Sequence, residues 1–244
     1  MSLLEHCIIP EWPAAPNVKA LQTTRRGGVS AAPYDSLNLG DHVGDAPQAV
    51  ARNRQLLSSL LPGEPVWLNQ VHGVEVVNAD AAGCQPRADA CIATRKGAVC
   101  VVMTADCLPI LLCDDEGSVV GAVHAGWRGL CAGIVERTVH AMDVAPHRML
   151  AWLGPAIGPA SFEVGEEVRA AFAAQQPQAA EAFTPAAPGK YLADLGLLAR
   201  QRLQALGISR IHGGGFCTYR ERERFFSYRR DGATGRMGTF IWLG

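Results

Sequence analysis

The sequence predicts an α+β fold in which mixed β-sheets are flanked by helices, and three observations carry that expectation. Apolar, β-branched runs over residues 98–103, 111–113 and 118–123 are joined by short turns such as Asp114-Asp115-Glu116-Gly117, a pattern that pairs neighbouring strands antiparallel. Helical spacing recurs over 47–60, 130–142, 164–175 and 192–206, without the strict strand–helix period of a wholly parallel sheet. No internal repeat or linker divides the chain, so residues 1–244 are expected to form a single domain.

Taken in order, residues 20–30 run from a strand into Gly27-Gly28. That pair serves either a tight turn needing positive φ or an anion-binding concavity of N–H groups beside Arg25 and Arg26. The polar stretch 34–45 leads to Pro47, which opens a helix carrying Val50, Asn53, Arg54 and Leu57. Pro62-Gly63-Glu64-Pro65 ends it, and a strand-like run over 66–77 is interrupted by His72-Gly73. A strand over 148–153 stops at Gly154-Pro155-Ala156-Ile157-Gly158-Pro159. A helix over 164–175, an Ala- and Pro-rich loop to Lys190 and a helix over 192–206 closed by Gly207 follow. Short strands at 208–211, 225–229 and 239–243 complete the expected order.

Charge and composition exclude several classes of function. Lys plus Arg number 22 against 23 Asp plus Glu, a net charge of −1, so the total implies no polyanionic partner. The one dense basic stretch, 220–230, alternates Arg with Glu and aromatics and reads as a solvated hairpin face, so no nucleic acid is expected. The N-terminus lacks a basic region, and Glu5 interrupts its short apolar run. No run reaches the ~18–20 apolar residues of a membrane span. The eight cysteines then read as reduced thiols of a cytoplasmic protein, with Cys100 and Cys113 as small core residues. No C-x-x-C pair suggests a zinc ribbon.

The chemistry concentrates at Thr104-Ala105-Asp106-Cys107-Leu108-Pro109 and Ala122-Val123-His124-Ala125-Gly126-Trp127-Arg128-Gly129. Each closes an apolar run with polar groups beside Gly or Pro, so two buried strands deliver a thiol and an imidazole to one edge. His72 offers a third donor. Cys and His together suit Zn²⁺, and three protein ligands leave one tetrahedral position open, as catalytic rather than structural sites do. Trp127 and Arg128 stand at a helix N-terminus, which favours negative charge. His6, His140 and His147 read as surface residues, while His42 either approaches the pocket or caps its loop.

With these segments in hand, the chain resembles the YfiH family, also labelled laccase-domain proteins, multicopper polyphenol oxidoreductases or peptidoglycan editing factors and related to the animal protein FAMIN. The likeness covers nearly the whole length. It extends through Thr23-Thr24-Arg25, Leu37-Asn38-Leu39-Gly40, Asn53-Arg54 and Cys217-Thr218-Tyr219 to Thr234-Gly235-Arg236. It implies layered sheets with flanking helices and one zinc on His72, Cys107 and His124. It further implies phosphorolysis of adenosine, inosine and methylthioadenosine, with adenosine deaminase activity at the same site. The expected partners are therefore purine nucleosides and phosphate, acted on by a monomer or weak homodimer.

On that reading Asp106 is a proton-transfer carboxylate or a support for the zinc ligands. Arg54 and Arg128 are expected to hold phosphate in the guanidinium fork, joined by Arg25 or Arg236, and Asn38 to bind substrate. A second reading makes Cys107 the nucleophile and His124 or His72 the base of a cysteine hydrolase acting on peptidoglycan precursors. A third, copper-dependent phenol oxidation, calls for paired His-x-His ligands, and none of the seven histidines forms such a pair. A non-catalytic, zinc-stabilised binding protein is the remaining alternative.

Overall fold

A computed structural model describes residues 2–244. Its strands are β1 (Val18–Gln22), β2 (Pro65–Val66), β3 (Val76–Asn78), β4 (Ala90–Ala93), β5 (Val99–Thr104), β6 (Leu108–Asp114), β7 (Val120–Ala125), β8 (Met149–Leu153), β9 (Glu163–Gly165), β10 (Phe183–Pro185), β11 (Lys190–Ala193), β12 (Arg210–Gly213) and β13 (Met237–Leu243). The α-helices are α1 (Pro47–Leu57), α2 (Trp127–Ala132), α3 (Ile134–Met142), α4 (Glu166–Gln175), α5 (Leu195–Ala205) and the single turn α6 (Tyr228–Asp231).

The strands assemble into a six-stranded sheet, order β12-β8-β6-β7-β4-β3, a four-stranded sheet, order β1-β13-β5-β2, and a small sheet, order β10-β11-β9. The six-stranded sheet is mixed: β6, β7 and β8 are antiparallel neighbours, while β12 runs parallel to β8 and β3 to β4.

Side-chain alternation explains the layering. Along β5, Cys100 and Val102 join Leu111, Cys113, Val120 and Ala122 in a core between the two large sheets. Val99, Val101 and Met103 face the other way, onto Leu57 of α1 and Trp67. Along β6, Ile110 and Leu112 pack with Val135 of α3, Phe172 of α4 and Leu198 of α5. Because each central strand is covered on both faces, its sequence is a continuous apolar run, as burial on both sides requires. The two sheets therefore form a stiff frame from whose edges short loops project.

Val164 and Gly165, expected in a helix, end strand β9, and Phe183–Pro185 of the expected loop form β10; four further segments also differ from the sequence expectation. The helix expected over 130–142 is two helices, because Gly133 takes φ 98° between α2 and α3. Residues 192–193, expected to open a helix, belong instead to strand β11 (Lys190–Ala193), which pairs with both β9 and β10, and α5 starts only after Asp194 accepts a capping bond from Leu197 N. The strand expected over 225–229 is absent; Phe225 and Phe226 are fully buried there, but Ser227 Oγ caps the single turn α6. The 66–77 run is strand only at its ends, in β2 and β3.

An alanine Cβ at Gly133 would meet nothing closer than Glu136 at 3.5 Å. Gly133→Ala is therefore expected to lose only the left-handed backbone preference, about 1–2 kcal/mol, measured as a lower urea midpoint with an unchanged m-value.

Candidate metal centre and active site

Three elements bring the donors together. His124 lies within β7, Cys107 in the turn between β5 and β6, and His72 in the loop between β2 and β3. The His72 and His124 ring nitrogens and the Cys107 sulfur lie within 4.8 Å of one another, the one such group of three or more among the described residues. Cys107 Sγ is 3.7 Å from His72 Nε2, and the two imidazole rings meet edge to face at 4.7 Å between centroids. His124 is 3% exposed, Cys107 half-buried and His72 exposed, so the group opens to solvent on one side.

Asp89, which the sequence reading passed over, organises two of the three donors. It is fully buried immediately before β4, and β4 pairs with β7. That pairing sets it against His124: the His124 N–H donates to Asp89 O at 2.7 Å, and His124 Nδ1 lies 2.8 Å from Asp89 Oδ1. The same carboxylate accepts the N–H groups of Val71 at 3.2 Å, His72 at 2.9 Å and Gly73 at 2.7 Å. Three successive backbone donors are thereby taken out of any sheet ladder, which is why the run breaks at His72, held at φ 60°.

The arrangement leaves His124 Nε2 as the free donor, the carboxylate–imidazole–metal order typical of protein metal sites. The only local signal for Asp89 was a carboxylate set between Ala88 and Ala90 at the start of an apolar strand.

Gly126 and Gly129 have a steric role in the same motif. A Cβ on Gly126 would stand 2.8 Å from His72 Cδ2 and 3.0 Å from Cys107 Sγ, and one on Gly129 would stand 2.8 Å from Gly73 O. Only glycine lets the β7–α2 turn pass this close to the His72 loop.

Electrostatics follow the geometry. Burial raises the Cys107 pKa, but His124 and His72 outweigh it and bring the thiol down to about 6. Burial lowers the His124 pKa, and the Cys107 charge with the Asp89 hydrogen bond carries it up to about 9. Burial pushes Asp89 up, and His124 with the Gly73 N–H holds it below the usual carboxylate range. Between those limits the metal-free pair is thiolate and imidazolium, so an incoming cation displaces the Nε2 proton of His124. A divalent cation fits this donor set: it would find a sulfur already ionised and an imidazole whose other nitrogen is held.

The remaining expected site residues divide by what their polar atoms already hold. Asp106, at φ 99°, accepts from Thr218 Oγ1 at 2.6 Å, Ser227 Oγ at 3.0 Å and Arg229 N at 2.7 Å, so its carboxylate ties the C-terminal segment beside Cys107. Asn38 is fully buried; its Nδ2 reaches Gly40 O and Asp45, and its Oδ1 accepts from Gly40 N and Arg236 N. Arg54 stacks on Trp67, donates twice to Leu39 O and pairs with Asp41.

Arg25 is committed to Asp35 and Arg222 O and lines a separate open pocket with Arg26 and Glu223. Arg128, by contrast, is exposed over the Trp127 ring at the start of α2. Arg236 donates through Nη1 to Thr234 O and Gly235 O and lies in the field of Cys107 and Asp106.

Elsewhere, Gly27 takes φ 93°, and the following N–H groups donate to Ser36 and Asn53, so that turn presents no open anion cradle. In the 220–230 stretch Arg224 pairs with Glu221, and Arg222 and Arg230 pair with Asp231. It is not a hairpin. Among the described residues, no helix is long and apolar enough to cross a membrane.

The chain is similar to known proteins over most of its length. Residues 19–244 match the family described as multi-copper polyphenol oxidoreductase laccase. A Pseudomonas aeruginosa protein named purine nucleoside phosphorylase is 54% identical over 237 residues, covering 97% of this chain and 98% of its own. The Escherichia coli purine nucleoside phosphorylase YfiH is 55% identical over 239 residues, with the same 97% and 98% coverage. A Neisseria meningitidis crystal structure superposes with a TM-score of 0.95 at 52% identity, covering 98% of this chain and 99% of that one.

Asp89→Asn is expected to weaken metal binding about 10- to 100-fold in a competitive chelator titration, and unchanged affinity would contradict the role given to Asp89. In metal-free protein, alkylation of Cys107 should rise with pH through a midpoint of about 6 and then level off. Burial pushes Cys7 up to about 11 and Cys113 up to about 12, so both stay unlabelled at neutral pH.

Proposed function

The chain belongs to the multi-copper polyphenol oxidoreductase laccase family, whose YfiH members it matches along nearly its full length, and from this we propose that it is a purine nucleoside phosphorylase working beside the His72–Cys107–His124 group. The observation that carries the reading is this three-donor group, open on one side, in a chain more than half identical to proteins bearing that name. Zinc is the proposed ion, because one thiolate and two imidazoles suit it. One group of three donors among the described residues is fewer than a multicopper cluster needs.

Phosphorolysis breaks the bond between the anomeric carbon and the purine nitrogen, joins a phosphate oxygen to that carbon and leaves the base to take a proton. Zinc held by the three donors would supply Lewis acidity toward an oxygen nucleophile. Arg128 and Arg236 are the proposed anion-holding groups, since each guanidinium fork keeps donors to offer to phosphate oxygens. Arg54 and Asn38 act through the wall they build: Arg54 fixes Leu39 and Asp41, and Asn38 fixes the Arg236 backbone. Asp106 keeps Cys107 in place by anchoring residues 218–229 beside it. Adenosine, inosine and methylthioadenosine are the proposed substrates in a cytoplasmic setting, and deamination of adenosine uses the same centre with water in place of phosphate.

One observation favours a second reading. Cys107, His124 and Asp89 stand in the order of a cysteine hydrolase triad, with a depressed thiol pKa. His72, 3.7 Å from the same sulfur, is superfluous to a hydrolase and required by a metal centre. The purified protein is expected to release hypoxanthine from inosine only when phosphate is present, and Cys107→Ala to lose both metal and base release. Metal-free protein with no nucleoside turnover, together with acylation of Cys107 by an amide substrate, would favour the hydrolase.

A further inference from the structure

We propose that Gln70 is a positioning residue for the metal centre: its side-chain amide clamps the His72 loop to β5 and so sets His72 against Cys107. The proposal rests on the metal centre proposed above and gives a role to a residue which that reading leaves out.

The three donors arrive on separate supports. Asp89 gathers the His72 loop and His124, each of which it touches directly. It makes no bond to the turn between β5 and β6 that carries Cys107. Gln70 supplies that link: its Nε2 donates to Met103 O at 2.8 Å, and its Oε1 accepts Met103 N at 2.7 Å. Gln70 stands two residues before His72, and Met103 four before Cys107. Apart from the ligand atoms themselves, no other hydrogen bond among the described residues joins 69–73 to 99–107.

The topology of the four-stranded sheet explains why an amide is needed there. On one edge of β5, β2 ends after Val66 pairs with Cys100, so no strand reaches Met103. On the other edge the register partner of Met103 is Gly238. Gly238 spends its N–H on Thr23 Oγ1 and its carbonyl on Thr23 N, both at 2.9 Å, and is turned away from Met103. Met103 is 4% exposed, and buried peptide groups need partners. The Gln70 amide takes both, as a neighbouring strand would, and the loop that bears it is drawn to the end of β5.

What the clamp governs is the gap between two donors. Cys107 Sγ stands 3.7 Å from His72 Nε2. Zinc bonds of about 2.3 Å to sulfur and about 2.0–2.1 Å to nitrogen leave little room for that separation to change. His72 is exposed, so hydrogen bonds rather than packing hold its loop. Two bonds from one planar amide fix the twist of the loop as well as its distance, which is the support a binding constellation requires.

The test is a competitive chelator titration of Zn²⁺ on the full chain, run beside visible absorption of the Co²⁺-loaded protein and urea unfolding of the metal-free protein. Gln70→Met fills similar space without either bond, and Gln70→Asn keeps the amide but falls one methylene short of Met103. Each should weaken zinc binding about tenfold or more. The thiolate-to-cobalt charge-transfer band should persist, because Cys107 is untouched, while the ligand-field bands change as His72 leaves the set. Gly133→Ala, destabilised outside the centre, should bind zinc as wild type does, which separates positioning from lost stability.

The proposal is overturned if Gln70→Met binds zinc as tightly as wild type and keeps its cobalt spectrum, or if Gly133→Ala loses as much affinity. Should Gln70→Met fail to fold, the same outcomes in Gln70→Asn decide it. Wild-type protein that takes up neither zinc nor cobalt removes the metal centre and this role together. Metal-loaded wild type with unimpaired variants removes the role of Gln70 alone.

Discussion

The candidate site hangs on the burial of one carboxylate. Asp89 is wholly removed from solvent, and an ionised carboxylate there costs several kcal/mol unless its oxygens are matched. Three consecutive N–H groups of the His72 loop and the His124 imidazole make that match. Satisfying Asp89 therefore builds the site: the loop must turn at His72, His124 must present Nε2, and both must arrive beside Cys107. Gly126 and Gly129 are needed because that convergence leaves no room for a Cβ.

Asp106 does for the C-terminal segment what Asp89 does for the His72 loop. Residues 214–236 hold little regular structure, yet Thr218, Ser227 and Arg229 converge on one carboxylate, and the Asp106 carbonyl accepts Ile157 N. Both carboxylates stand at ends of strands packed on two faces, so the sheets supply rigidity and the loops supply chemistry. The thiol between them is ionised by its imidazole neighbours rather than by exposure, which readies it for a metal ion.

Much of this was legible in the sequence. The three donors could be read because each closes or interrupts an apolar run, and a strand end is where a buried element meets a ligand. The central strands could be read because burial on both faces leaves unbroken apolar runs. Long-range hydrogen bonding was not legible. Nothing local distinguishes Arg54, committed to Leu39 O and Asp41, from Arg128, which stays exposed.

Asn38 and Asp106 bear the right chemistry for binding or proton transfer, but partners up to 198 residues away claim their polar atoms. The strand at 190–193 was hidden for the same reason: it exists because two distant strands flank it. The break at Gly133 was written in the sequence, as a glycine inside a helical pattern, but apolar spacing on both sides masked it.

The central claim is that His72, Cys107 and His124 hold one catalytic zinc ion. Anomalous diffraction from crystals of the protein, collected on both sides of the zinc and copper absorption edges, tests it most directly. The account predicts a single zinc peak within bonding distance of His72 Nε2, Cys107 Sγ and His124 Nε2. A cluster of copper peaks, or a metal-free site in protein that still releases base from nucleosides, would contradict it.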